Sequence, residues 1–390
     1  MVEYLQLDSS NVHASVYRII GGQHDGLDRY IVSTPETRLI CNRPEIMGCD
    51  YAEYMRNGMV SILRTLPFVP HLLQHTPETS ISVLNILRGG LNFDLRQALY
   101  LAYGITRHSS SFVSSQRFKE KDHWIIREDT YRKLNFGPQA VIFIGDVVAT
   151  GSTVVHSLKI LANHLAQTPD SIKSLVFFTI GCERTEAVLA EYDAVFRKLS
   201  STYEATYIVY LEGRFRLVND NTNLHIGIPG TDLVRFDCLL SPEFELSQYE
   251  DIRYPLERCT IYDAGSRAFN IPEYLEDVTN YWRLVRELAC QGVTLASALK
   301  ERWSEEEYSD YDNFCQTKQI WQGIDPNLIH RLHSAYRRRW AEPFLSQAQT
   351  TDALLRLCDA RLEELSRPPQ LKSSAHHNAG LSSPFEVACY

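Results

Sequence analysis

The stretch VIFIGDVVATGSTVVHSL (Val141 to Leu158) decides the fold of this chain. Four apolar residues predict a buried strand, Asp146 stands at its end, and a loop of small and hydroxyl residues leads directly into an amphipathic helix. Such a loop directs backbone N–H groups, hydroxyls and the positive end of a helix dipole to one point. The stretch therefore predicts a phosphate-binding loop, formed by Ala149, Thr150, Gly151, Ser152 and Thr153.

The residue types in this loop exclude two common phosphate-binding motifs. The pattern GxxxxGK[ST] requires a lysine, which the loop lacks, and GxGxxG is also missing. Gly151 permits a positive φ or a close approach of ligand oxygen that a side chain would block. An ordinary strand-to-helix turn with Ser and Thr caps is the alternative interpretation.

Similar units flank this stretch on both sides. SVLNIL (Ser82 to Leu87) predicts a buried strand that runs through Arg88-Gly89-Gly90 into a helix, with Asn92 as its expected N-cap. Further apolar runs and helical patterns are a helix over 51–66 with Asp50 as N-cap, SLVFFTI (Ser174 to Ile180), a helix over 187–199, and TYIVYL (Thr206 to Leu211). This alternation predicts a parallel sheet covered on both faces, with ligands at the carboxyl ends of its strands.

Composition sets limits on function. The chain has 390 residues, 44% of them apolar, and a formal charge of −9, so it is large enough for a full core and an appended unit. The negative charge gives no support for nucleic-acid binding. An anionic substrate would therefore need a local basic island.

Cysteine usage and the N-terminal residues indicate a cytoplasmic protein. The nine cysteines are scattered and contain no CxxC pair, which argues against a disulfide framework and a zinc module. Residues 1–25 lack a basic head followed by an apolar stretch, and no uncharged apolar run approaches the roughly 18 residues that span a bilayer. We therefore expect no membrane partner.

The stretch around Asp146 resembles the motif of the type I phosphoribosyltransferases that binds 5-phosphoribosyl 1-diphosphate (PRPP). That motif is an apolar strand, an acidic pair, two apolar residues and Ala-Thr-Gly-Gly-Thr. Here Ala149, Thr150, Gly151 and Thr153 match, Ser152 replaces the second Gly, Asp146 is the second acid, and Gly145 stands where the first acid would be. The resemblance implies that residues 149–153 hold the 5′-phosphate and that Asp146 contacts the ribose hydroxyls.

Two further stretches are similar to segments of uracil phosphoribosyltransferases. NILRGGLNF (Asn85 to Phe93) looks like the Leu-Arg-Ala-Gly-Leu loop that holds the diphosphate, which makes Arg88 a diphosphate ligand and lets Gly89 and Gly90 approach the phosphates. SFVSSQRFKEKDHW (Ser111 to Trp124) is similar to a strand followed by a flexible loop that carries a second PRPP-binding arginine, here Arg117. A mobile loop around 118–123 is expected to close over the site.

The stretch HIGIPGTDL (His225 to Leu233) resembles the hood that binds uracil through backbone groups. This match implies that Ile228, Gly230 and Thr231 line the base pocket and that Asp232 lies near PRPP. An ordinary Pro-Gly turn is the alternative, because the stretch lies farther downstream than in the family and lacks its second Gly.

The resemblance implies an α/β fold with a parallel-sheet, type I phosphoribosyltransferase-like core over 35–245. Helical patterns over 273–303, 326–343 and 350–365 predict a mainly helical region over 250–365, and the polar residues 366–390 predict a disordered tail. The implied reaction moves ribose 5-phosphate from PRPP to uracil or a uracil-like base, with Asp146, Arg88 and Arg117 as catalytic residues. Mg²⁺ bound through the diphosphate and a homodimer are also expected.

Two other functions stay open from the sequence. A non-catalytic PRPP or nucleotide sensor on the same fold would fit the loss of the first acid at Gly145. Alternatively, the chain is an interaction protein whose function lies in the helical C-terminal region. Diphosphate release from PRPP in the presence of nucleobases distinguishes the enzyme from both.

Overall fold

The computed structural model describes residues 2–5, 14–24, 26–114, 116–120, 123–128, 131–227, 232–250, 253–258, 264–302, 310–317, 321–339 and 347–367. Its strands are β1 (Val2–Leu5), β2 (Ser15–Ile19), β3 (Asp28–Ser33), β4 (Ile81–Leu87), β5 (Ser109–Ser114), β6 (Gln116–Glu120), β7 (His123–Glu128), β8 (Arg132–Lys133), β9 (Ala140–Val148), β10 (Ile172–Cys182), β11 (Ala205–Leu217), β12 (Leu233–Leu240) and β13 (Trp321–Gln322). Its helices are α1 (Pro35–Asn42), α2 (Gly48–Thr65), α3 (Phe68–Gln74), α4 (Leu95–Tyr103), α5 (Ser152–Gln167), α6 (Arg184–Leu199), α7 (Pro242–Ser247), α8 (Ala264–Phe269), α9 (Ile271–Cys290), α10 (Leu295–Ala298), α11 (Tyr311–Thr317), α12 (Pro326–Arg339) and α13 (Thr351–Ser366). Short 3-10 helices cover Glu78–Ser80, Gly89–Phe93 and Leu299–Glu301.

Parallel strands form the centre of the main sheet. Its order over the described residues is β13-β1-β2-β3-β11-β10-β9-β4-β5-β8, and β12 pairs with β11. From β3 to β5 every neighbouring pair in this order is parallel, whereas β2, β8 and β12 join antiparallel. Since β9 lies between β4 and β10, the loops that follow these strands emerge side by side at the carboxyl edge. The predicted α/β class is confirmed.

Strand β9 has buried apolar side chains on both faces of the sheet. Val141 and Phe143 belong to the hydrophobic cluster on the α2 side, whereas Ile142 and Ile144 belong to the cluster on the α5 and α6 side. All of them are fully buried. Because alternate side chains point to opposite faces, a continuous apolar run is what a doubly covered strand requires.

The C-terminal region is mainly helical, as predicted, and has a hydrophobic cluster of its own. Trp282 and Val285 of α9 pack with Leu354 and Cys358 of α13 in this cluster. The strand β13 also comes from the C-terminal half and pairs with β1, so the region contributes to the main sheet. From residue 368 onward, the predicted tail over 366–390 lies outside the described residues.

One buried arginine attaches the helical region to the core. Arg267 of α8 donates to the carbonyl oxygens of Ile40 (3.0 Å), Arg43 (2.8 Å) and Ile46 (2.9 Å). Its guanidinium also lies 4.6 Å from the ring centroid of Tyr51. The carbonyl of Ile40 lies in the last turn of α1, where a helix leaves its acceptors without intrahelical partners, and the other two follow the helix.

Two expected helix caps are wrong. The helix expected to start behind Asp50 begins at Gly48 with Met47 as N-cap, and Asp50 lies in its first turn. The cap of α4 is Asp94 rather than Asn92, because a 3-10 helix over Gly89–Phe93 separates β4 from α4 and contains Asn92. The parallel sheet also includes β3, which precedes the core boundary expected at residue 35.

Candidate phosphate-binding site at the carboxyl edge

The loop after β9 has the geometry of an anion-binding turn. Gly151 adopts φ of 79° as the N-cap of α5, a left-handed conformation that favours glycine. Among the described residues no side chain caps this helix, so the N–H groups of its first turn are open to an acceptor. The hydroxyls of Thr150 and Ser152 lie 3.2 Å apart above this turn. The structure thus brings the residues predicted to hold the 5′-phosphate into one loop.

Asp146 lies two residues before the end of strand β9, where it is 6% exposed. Its Oδ1 accepts a hydrogen bond of 2.9 Å from the backbone N–H of Val147. This contact fixes the carboxylate at the carboxyl edge of the sheet, next to the loop that leads to Gly151.

The loop after β4 lies directly against Asp146. A Cβ atom at Gly89 would stand 2.9 Å from Asp146 Oδ1, and one at Gly90 would stand 2.9 Å from the carbonyl oxygen of Gly145. At Gly90 the obstacle is backbone, so glycine is required there for the loops to meet, whereas a side chain at position 89 would force the carboxylate of Asp146 to shift. The structure therefore brings Gly89, Gly90 and Asp146 together, as a shared ligand would need.

Arg88 starts the same turn, and its side chain is 43% exposed. Its Nη2 lies 3.5 Å from Oε2 of Glu273 in the first turn of α9. The same Oε2 accepts a hydrogen bond of 2.6 Å from Asn270. The helical C-terminal region thus reaches the predicted diphosphate ligand, which the sequence did not indicate.

Phe93 explains why Gly145 has no side chain. A Cβ atom at Gly145 would lie 2.4 Å from Cγ of Phe93 and 2.7 Å from its Cβ. Phe93 is fully buried, so its ring cannot swing into solvent to make room. The space that the first acid of the motif would need is therefore filled by an aromatic side chain.

Arg117 and the base pocket are only partly described. Arg117 lies in β6, which pairs with β7 as a hairpin, in a segment whose side chains are outside the described part. The loop expected to be mobile around 118–123 thus overlaps the end of β6 and the first residue of β7. Ile228, Gly230 and Thr231 lie outside the described residues.

Asp232 occupies a buried ion pair. Its side chain is fully buried; Arg258 Nε donates to Oδ1 at 2.8 Å, and Arg258 Nη2 donates to Oδ2. A contact between Asp232 and PRPP would require this pair to break, which would leave a charge buried without a partner. The geometry favours a structural role, in which Asp232 joins the end of the predicted hood to Arg258 at the start of the C-terminal region.

Two buried groups at the same edge were missed by sequence reasoning. The thiol of Cys182, at the end of β10, donates to the carbonyl oxygen of Ala149 at 3.2 Å, and burial raises its pKa. Glu212 of β11 accepts hydrogen bonds from Ser33 Oγ (2.6 Å) and Thr34 N (3.0 Å), and burial raises the pKa of this carboxyl to about 7. Both groups are buried and form hydrogen bonds between neighbouring segments of the chain.

The described residues contain no group of three or more His, Cys, Asp or Glu side chains that could hold a metal ion. In the same part of the chain, no helix combines the length and the apolar character needed to cross a membrane.

Comparison with known proteins gives distant structural likenesses. The AQ2163 protein from Aquifex aeolicus is 19% identical with a TM-score of 0.30, and the match covers 48% of this chain and 89% of that protein. A hypoxanthine phosphoribosyltransferase from Staphylococcus aureus is 15% identical with a TM-score of 0.25, covering 42% of this chain and 76% of the enzyme. A purine phosphoribosyltransferase from Pyrococcus horikoshii is 11% identical with a TM-score of 0.22, covering 44% and 93%.

No protein-family model matches the chain, and no curated protein matches it. The sequence identities and TM-scores of these matches are too low to support a functional assignment. The chemistry of the site therefore rests on the loops at the carboxyl edge themselves.

Proposed function

We propose that this chain transfers the ribose 5-phosphate group of PRPP to a nucleobase and releases diphosphate. The contact of the Gly89 turn with Asp146 carries the proposal, because it joins a second loop to the uncapped start of α5. The carboxylate of Asp146 and the loops after β4 and β9 would then contact one ligand, whose oxygens can come close to the loop backbone. PRPP has the matching order of groups: a phosphate, a diol and a diphosphate.

Each part of PRPP has a partner in this arrangement. The 5′-phosphate accepts from the N–H groups of residues 149–153, and the ribose hydroxyls donate to Asp146. The diphosphate lies on the backbone of Gly89 and Gly90 with Arg88 as its cation, and Arg117 is the second proposed cation. Positive charge develops on the sugar as the diphosphate leaves, so the residues act by positioning and electrostatics.

The proposal extends to the acceptor and the metal. Uracil or a uracil-like base is the proposed acceptor, held by Ile228, Gly230 and Thr231. Mg²⁺ usually keeps several waters and is bound through one or two carboxylates together with phosphate oxygens of the substrate. Asp146 could supply such an oxygen, so the site fits a cation that enters with the diphosphate and neutralises its charge. A cytoplasmic homodimer active in pyrimidine salvage completes the proposal.

A second candidate is a non-catalytic protein that binds PRPP or a nucleotide. The packing of Phe93 against Gly145 favours it, because this aromatic ring stands where the motif has its first acid. With one carboxylate left for the ribose, the same loops could hold the ligand without promoting loss of diphosphate.

Release of diphosphate from PRPP tests the enzyme against the sensor. Purified full-length chain is incubated with PRPP, Mg²⁺ and a panel of pyrimidine and purine bases, and PRPP binding is measured by calorimetry in parallel. Asp146→Asn and Arg88→Ala should each lower kcat/KM or PRPP affinity about tenfold or more, as expected for hydrogen bonds to charged groups. The matched controls Glu204→Gln and Arg107→Ala change exposed residues that precede β11 and β5, at the opposite ends of the parallel strands, and should leave both values unchanged.

The outcomes separate the candidates. Base-dependent release of diphosphate supports the enzyme, and PRPP binding without release supports the sensor. If the wild-type chain does not bind PRPP, both are refuted. If it binds PRPP but neither variant changes the affinity or the rate, the site assignment is refuted.

A further inference from the structure

A third strand end lies beside the phosphate loop. Strand β10 is the parallel neighbour of β9, and Gly181 pairs with Val148 at the carboxyl edge. The chain leaves β10 after Cys182, and α6 begins at Arg184. The hydrogen bond from the thiol of Cys182 to Ala149 ties this strand end to the first residue of the phosphate loop.

The stem of Arg184 forms one wall of the phosphate loop. A Cβ atom at Gly151 would lie 3.5 Å from Cγ of Arg184 and 3.3 Å from Cγ2 of Val188. Glycine at 151 thus keeps the loop close to the first turn of α6. Beyond Cγ, the arginine still has its flexible end and its planar fork of donors, which suits phosphate oxygens.

The neighbouring carboxylate does not need Arg184 as a partner. Oε2 of Glu186 accepts from Arg29 and its Oε1 from Arg214, each at 2.8 Å. Within the part of the chain that the structure describes, Arg184 forms no ion pair, and its side chain is exposed. Counting Glu183 and Glu186 against the arginines 29, 184 and 214 leaves one positive charge at this strand end.

We propose that Arg184 binds the 5′-phosphate of PRPP and forms the charged wall of the phosphate loop. This inference rests on the proposed function and adds a ligand that sequence resemblance does not indicate. Arg184 and Arg88 then act on opposite ends of the same substrate, because they follow strands on either side of β9. Arg184 contributes to binding of the 5′-phosphate, whereas Arg88 contributes to binding of the diphosphate that leaves.

Binding of three phosphate compounds to the full chain tests whether Arg184 binds the 5′-phosphate and not the diphosphate. Calorimetry measures the affinities of the wild type, Arg184→Ala and Arg184→Lys for PRPP, ribose 5-phosphate and inorganic diphosphate. Arg184→Ala should weaken PRPP and ribose 5-phosphate about tenfold or more, since charge-assisted hydrogen bonds to phosphate are lost. Diphosphate affinity should change less than about twofold, and Arg184→Lys should recover part of the loss because it keeps the charge.

The control is Arg197→Ala, which removes an arginine from the other end of the same helix, where it pairs with Asp193. It should leave all three affinities unchanged. If wild type binds PRPP and ribose 5-phosphate but Arg184→Ala binds them equally well, the role of Arg184 is refuted while the proposed function stands. Equal weakening of all three probes refutes a 5′-phosphate role as well. If wild type binds neither sugar phosphate, both proposals are refuted.

Discussion

The carboxyl edge of the sheet and the C-terminal helical region use arginine in opposite ways. At the edge, Arg88 and Arg184 are exposed beside loops whose glycines lie close to neighbouring segments. In and around the helical region, Arg258, Arg267 and Arg361 are each no more than 2% exposed and bind acceptors of the chain itself. In an acidic chain, the exposed arginines are the ones available to an anionic ligand, and the buried ones hold the molecule together.

Burial explains the contrast. Arg361 donates to Glu257 from Nε at 2.8 Å and from Nη2 at 3.2 Å, and burial still raises the pKa of this glutamate although Arg361 opposes the rise. A guanidinium removed from water stabilises a structure only when its donors find acceptors, so such sites tolerate little change. An exposed guanidinium keeps its hydration and can exchange it for a ligand.

The largest effect is expected where the edge is packed most tightly. Gly145→Asp would restore the missing acid of the motif, but its Cβ would collide with Phe93 and its carboxylate would be buried. Overpacking and an unpaired buried charge together should lower the free energy of unfolding by about 4 kcal/mol. Urea denaturation followed by circular dichroism measures the loss, and no gain in PRPP turnover should accompany it.

Two variants sharpen this test. Gly26→Asp, at an exposed glycine with nothing within 4 Å of an added Cβ, should change stability by less than about 0.5 kcal/mol. Phe93→Ala combined with Gly145→Asp should be less destabilised than the sum of the single changes, because the clash is removed. Strict additivity, or a Gly145→Asp protein as stable as wild type, would show that Phe93 does not exclude the acid.

A smaller loss is expected from the joint between the two regions. Arg267→Ala removes the guanidinium donor from the buried carbonyl oxygen of Ile40 and from the part-buried ones of Arg43 and Ile46, of which Arg43 keeps the backbone N–H of Ile46. The loss of these hydrogen bonds should lower the free energy of unfolding by about 3 kcal/mol. Arg283→Ala, on the exposed side of α9, is the matched control and should stay within about 0.5 kcal/mol of wild type. Equal midpoints in urea for the two variants would contradict the role of Arg267 as an anchor.

Local patterns predicted the centre of the sheet and its loops well. The apolar runs of β4, β9, β10 and β11 are readable because a strand covered on both faces needs few polar residues. The glycines of the two loops are also local signals, and in the structure Gly90 lies against the backbone of Gly145, where a Cβ atom would stand 2.9 Å from the carbonyl oxygen. These features depend on neighbours in sequence or on backbone conformation alone.

Features that depend on distant partners were missed. Strand β3, which the sequence analysis did not predict, carries Arg29 as its second residue. This arginine is 2% exposed and pairs with Glu186 far along the chain. The fit of Phe93 to Gly145 likewise joins separate units. The pair of Asp232 with Arg258 could not be predicted from the sequence for the same reason. The charge of a carboxylate does not tell whether it faces a ligand or a buried guanidinium.

The smallest effect is expected where the two regions meet in solvent. Glu273 lies 3.5 Å from Arg88, and both side chains are close to half exposed, so the pair is weak and screened. Glu273→Gln removes a negative charge that competes with the diphosphate for Arg88. Diphosphate and PRPP should therefore bind up to about fivefold more tightly, which corresponds to the range of about 0 to 1 kcal/mol for exposed pairs.

Calorimetry at low and high salt measures this gain. Glu276→Gln, an exposed glutamate on the next turn of α9, is the matched control and should bind as wild type does. The gain of Glu273→Gln should shrink as salt rises, because the competing contact is exposed to screening ions. An affinity unchanged at low salt would mean that the helical region does not influence Arg88, and weaker binding would mean that Glu273 orients the arginine rather than competes for it.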